Sequence, residues 1–128
     1  MYMNTKGFSL IELMVTVAII GVISAIAFPL YQGYISDTRV ALASSDLRAC
    51  GMSIERFYSN SFTYVGAGAA GVCTTVSPAD SPPGQQSYDI TFESELANSF
   101  LIRATPVGEA CGAGNCIELD QVGNQTLN

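Results

Sequence analysis

The chain of 128 residues has no histidine and no tryptophan, and its single lysine is Lys6. The commonest general base is therefore missing, and only one amine side chain exists to form a Schiff base. The 4 cysteines include no Cys-x-x-Cys pair, so they lack the spacing of a zinc site. Asp80, Glu93 and Glu95 lack the spacing of a compact calcium loop. Cations are scarce: 5 basic against 11 acidic side chains leave a formal charge of -6, which opposes attachment to nucleic acid phosphates. These absences argue against an enzyme, a cofactor or a resident metal, and they make nucleic acid a poor partner.

What the chain has in excess is apolar length. From Leu13 to Leu30 no side chain is charged, and Phe8–Leu30 reads as one apolar helix. A helix of about 20 residues suffices to cross a bilayer core. Mean hydropathy is +0.32, and the excess sits almost entirely before Tyr31. Glu12 is the only charge within the apolar run. A carboxylate at bilayer depth costs on the order of 2.5–3.5 kcal/mol and calls for a partner. The one cation close by in sequence is an amine that exists only if the chain is cut just ahead of Phe8. Within the helix, Gly21 lowers helix propensity and Pro29 removes a backbone bond, so a kink or unwound stretch is expected near Pro29. Tyr31 and Tyr34 flank that point, as residues of an interfacial aromatic belt do.

Beyond Pro29 the helix turns amphipathic. Val40, Ala43, Leu47, Cys50, Ile54 and Phe57 recur at three- and four-residue steps, one buried stripe that should end near Asn60. Ser61–Ser87 is rich in glycine and proline and reads as loop, with room for a short strand at Val72–Val76. Alternation then marks strands around Tyr88–Phe92, Phe100–Ala104 and Ile117–Leu119, with Gln121 a candidate to extend the third. Glu93 and Glu95 are expected to share one polar face. The architecture is α+β: a long N-terminal helix with a three- to four-stranded antiparallel β-meander packed on its amphipathic half. The chain divides into a leader at 1–7, an apolar helix at 8–30, and an amphipathic helix plus globular head at 31–128.

Cys50, Cys73, Cys111 and Cys116 all follow the apolar segment, and an even count in an exported head reads as two disulfides. Four cysteines allow three connectivities, and the sequence does not choose among them. The favoured pairing is Cys111–Cys116, closing a glycine-rich turn, with Cys50–Cys73 tying the helix to the loop after it.

Gly7-Phe8-Ser9-Leu10-Ile11-Glu12-Leu13-Met14 resembles the processing motif of type IV pilins and the related pseudopilins. The likeness continues through Ala25-Ile26-Ala27-Phe28-Pro29, Tyr31 and Tyr34. It implies that a prepilin peptidase cuts between Gly7 and Phe8 and methylates the new amine. It further implies a single-pass inner-membrane precursor with a cytoplasmic N-terminus, extracted by an assembly platform and an ATPase motor into an extracellular pilus. The assembly residues would be Phe8, Glu12, Gly21 and Pro29, polymerising the subunit with itself or with other pilins. Major or minor pilins of this kind serve adhesion, twitching motility or DNA uptake. The alternatives are a pseudopilin of type II secretion and a filament-borne binding module. A secretory signal cleaved after Ala27 and a plain membrane anchor are rivals on residues alone, but Glu12 has no purpose in a discarded peptide.

Overall fold

The computed structural model describes residues 7–112 and 114–128. The leader before Gly7, with Lys6, and Ala113 lie outside the described residues. The chain forms two compact units, one ending at Ser36 and the other spanning Asp37–Asn128.

A single helix, α1 (Leu10–Ser61), accounts for most of the first half of the sequence. It starts two residues later than the apolar run, because Ser9 supplies the first capping carbonyl: the amides of Glu12 and Leu13 donate to Ser9 O at 3.1 and 3.2 Å. Helical structure continues without interruption through Gly21 and Pro29, so no unwound stretch forms there. Proline gives up one backbone bond, and the ladder on either side of it continues.

In the second unit α1 buries Ala43, Leu47, Cys50, Gly51 and Ile54, with Val40 and Phe57 half-buried at either end of the stripe. Five strands cover that stripe: β1 (Val76–Ser77), β2 (Tyr88–Glu95), β3 (Phe100–Pro106), β4 (Ile117–Asp120) and β5 (Gln125–Leu127). They lie in chain order, every neighbouring pair antiparallel. The sheet is thus wider than the three or four strands that alternation suggested. Its additions are very short margins of two and three residues. The third strand ends at Asp120, leaving Gln121 in the turn.

Core contacts follow from these registers. Tyr88, Ile90, Phe100, Ile102, Ala104, Ile117 and Leu119 face the helix stripe and are buried with it. Burying a side chain of this size contributes about 1.5–3 kcal/mol. Gly51 is where helix and sheet approach closest: a Cβ there would sit 2.9 Å from Leu119 Cδ2. Both sheet margins are pinned to α1 by polar bonds. Ser77 Oγ donates to Asp46 Oδ2 at 2.5 Å, and Gln125 Nε2 donates to Ser44 O at 2.9 Å while its Oε1 accepts from Ser44 Oγ and Arg48.

Glu93 and Glu95 do not share a face. The β2–β3 register shifts between Phe92 and Ser94, and the extra residue inverts the side-chain phase beyond it. Glu93 therefore meets Arg103, at 3.0 Å. Glu95, opposite buried Phe100, turns to the core side.

Candidate assembly segment and head surface

In the first unit the surface is apolar and uncovered. Every residue from Gly7 to Tyr34 is exposed, including Phe8, Leu10, Ile11, Phe28 and Tyr31. Glu12 lies in the first turn of α1, and the spacing Ser9-x-x-Glu12 is that of a capping box. A carboxylate three residues into a helix also complements the positive end of the backbone dipole. Gly7 and Phe8 precede the helix, one turn ahead of Glu12, and the space beside Gly7 and Gly21 is open. The helix α1, Leu10–Ser61, is long and apolar enough to cross a membrane.

In the second unit the structure joins Cys50 to Cys73 and Cys111 to Cys116. The first bond ties the buried stripe of α1 to the glycine-rich loop that follows it. The second closes the turn around Gly114, part of which lies outside the described residues.

Inside the loop, the carboxylate of Glu95 accepts from two backbone amides, Gly66 N at 2.9 Å and Gly68 N at 2.7 Å. Successive amides aimed at one anion form a nest, and both flanking positions are glycine for physical reasons. Gly66 has φ of 89°, a region L side chains avoid, and a Cβ on Gly68 would collide with Glu95 Oε1. Nearby, Tyr64 stacks on Tyr58 at 4.4 Å, meets Phe100 edge-on at 5.0 Å, and donates to Glu55 Oε1 at 2.8 Å. Burial, and then the Glu55 carboxylate, push the Tyr64 hydroxyl up to about 12.

Two of the four head arginines, Arg103 and Arg48, are engaged by neighbouring side chains. Arg103 lies between Glu93 and Glu118, and its hydrogen bond holds the Glu118 carboxyl below its usual range. Arg48 is bonded to Gln125. Arg39 and Arg48 sit nine residues apart on α1, on opposite sides of the helix at 100° per residue.

Two surface features had no counterpart in the sequence pattern. An open groove of about 590 Å³ runs between α1 and the β4–β5 turn, walled by Gly51, Met52, Phe100, Leu119 and Val122, with Arg48, Glu55 and Asp120 at its lip. The second is Phe62, immediately after α1, which is 79% exposed and has φ of 56°. Neither belongs to a periodic stripe, so neither leaves a signal in a one-dimensional reading.

An uncovered apolar helix that continues into a helix-backed antiparallel sheet with two disulfides defines a class: a membrane-inserted or filament-forming subunit with a folded head. The chain belongs to the type IV pilin family. The family model described as "Type IV minor pilin ComP, DNA uptake sequence receptor" matches residues 29–120, and that of the prokaryotic N-terminal methylation motif matches residues 2–28.

Among relatives, the chain is 36% identical over 110 residues to the type IV major fimbrial protein FimA of Dichelobacter nodosus, covering 78% of this chain and 70% of that one. It is 35% identical over 101 residues to the type IV major pilin protein PilE1 of Neisseria gonorrhoeae, covering 77% of this chain but 46% of the relative. The type IV major alpha-pilin of Moraxella bovis is 54% identical over 44 residues, which is 28% of its length. The crystal structure of the non-core minor pilin PilV of Neisseria meningitidis superposes with a TM-score of 0.56 at 15% identity, over 73% of this chain and 86% of that one. At that identity the likeness is one of fold. The chain is a pilus subunit, and pilins polymerise into filaments with other pilins.

Proposed function

We propose that the chain is a structural subunit whose Phe8–Leu30 segment holds it in the inner membrane and afterwards packs in the core of a pilus. The observation that carries this reading is the uncovered apolar run with Glu12 as its one charge. A prepilin peptidase would cut between Gly7 and Phe8, and the resulting amine would lie one turn from Glu12. Pairing the two, within a subunit or between neighbours, offsets much of the desolvation that each bears alone. It also fixes the axial register of one helix against the next. Moving the segment from lipid into a bundle of like helices keeps its apolar surface dry, and the work of extraction falls to a cytoplasmic ATPase acting through the assembly platform.

N-terminal sequencing of the membrane and filament pools tests the cut: a methylated Phe8 is expected, and an N-terminus at Phe28 or upstream of Gly7 refutes the proposal. Glu12→Ala is expected to leave the protein in the membrane while filament entry is lost. Normal filaments from that variant would remove Glu12 from assembly.

A second reading takes the head as a DNA receptor, favoured by the description of the family model that matches residues 29–120. Charge opposes it in this chain. The second unit holds four arginines against ten carboxylates, and two of those carboxylates engage Arg103. We therefore assign this head to filament structure before nucleic acid.

A further inference from the structure

Phe62 occupies a position that helices usually give to glycine or asparagine, just past the last helical residue. A bulky side chain in the left-handed region is strained, and such outliers persist where surrounding bonds over-determine them. Those bonds are present. Phe62 N donates to Tyr58 O at 2.7 Å, Ser61 Oγ bonds both Phe57 O and Thr63 O, and Val65 N donates to Thr63 Oγ1. The fold thus holds an aromatic ring outward in a fixed place, with nothing of its own head to cover it: 79% of it is exposed.

The same head carries the open apolar groove of about 590 Å³, and Phe62 is not among its lining residues. Knob and hole therefore sit at different places on one chain. Two such surfaces can make a heterologous contact, which grows as an open helical polymer when its rotation does not close.

Charge indicates what the knob meets. A head carrying four cations and ten anions repels its own copies over most of its surface. From Phe57 to Ala79, however, no Asp, Glu, Lys or Arg occurs, so the stretch bearing Phe62 is neutral. The groove lip carries both signs, with Arg48 against Glu55 and Asp120. A neutral knob can approach such a lip without like-charge cost. We propose that Phe62 of one subunit seats between Met52 and Val122 of a second copy of this chain, joining heads along the filament. This rests on the filament reading above and specifies the head contact within it.

The test uses the full chain in cells that assemble it. Phe62→Cys and Val122→Cys variants are expressed separately and together, and sheared filaments are oxidised. A dimer whose peptide map joins positions 62 and 122, formed only in the mixed population, is expected. Filaments that form without that dimer, or a Phe62→Cys population that cross-links to itself, overturn the contact while leaving the filament reading intact. An unsubstituted parent chain that never leaves the membrane overturns both.

Phe62→Gly separates an interface role from a folding role, because glycine relieves the positive φ. Its melting temperature in detergent should be unchanged or higher, while filament yield falls about tenfold or more, as loss of one buried aromatic anchor implies. A variant that melts earlier, or that assembles as well as the parent, refutes the assignment.

Discussion

Glu95 shows how one residue can be set by its distant surroundings more than by its neighbours in sequence. Read along the strand it alternates with Glu93 as surface charge, yet the register shift after Phe92 turns it inward to the amides of Gly66 and Gly68. Only a loop glycine pair and a carboxylate some thirty residues downstream could have hinted at this, and nothing local links them. Removing the acceptor leaves two amides without a partner, so Glu95→Ala should cost about 1–3 kcal/mol. Chemical denaturation of the detergent-solubilised full chain measures that loss, and hydrogen exchange at Gly66 and Gly68 should quicken with it.

Tyr64 makes a complementary prediction. Its hydroxyl is raised to about 12 by burial and by Glu55, above the ordinary value near 10. A raised acid favours the neutral form in the fold, so stability present below pH 10 should fall as pH rises from 10 through 12. Tyr64→Phe should flatten that alkaline limb in a pH-dependent melt.

At the scale of elements, the legible parts were those that repeat. The stripe from Val40 to Phe57 announces a half-buried helix because its period matches 3.6, and the observed burial falls on its members. Three strands announce themselves by alternation around Ile90, Ile102 and Leu119. The short strand expected at Val72–Val76 survives only as the two residues of β1 at Val76–Ser77, and the three residues of β5, too short to alternate, escaped; Asp46 holds the first to α1, and Ser44 and Arg48 the second. Of the kink or unwound stretch expected near Pro29, no unwound stretch forms, since one missing backbone bond leaves the rest of the ladder in place. At the N-terminal end the methylation motif was legible, and the family model for it matches residues 2–28, whereas the groove depends on how β4 meets Gly51. The Cys50–Cys73 bond links two elements 23 residues apart. Replacing both cysteines with serine should lower stability by about 2–4 kcal/mol, read as a reduced denaturant midpoint, and should loosen the loop that carries Phe62.

On the whole molecule, charge decides what can come near. The net of -6 is concentrated after Ser36, where two carboxylates engage Arg103. Filaments of this subunit should therefore fail to retard duplex DNA in a gel at low salt, where electrostatic binding is strongest. Retardation that persists as salt is raised would instead assign the head a genuine receptor surface. The narrow sheet margins carry a consequence of a different sort. Heads crowded along a fibre stand at enormous effective concentration, the circumstance in which open strand borders recruit one another into irreversible aggregates. The β5 border is only three residues long and is stitched to the helix behind it through Gln125, so on that side this molecule offers strangers almost no ladder to climb. On that side, contacts between heads are left to side chains, which can part again with no shared backbone ladder to break.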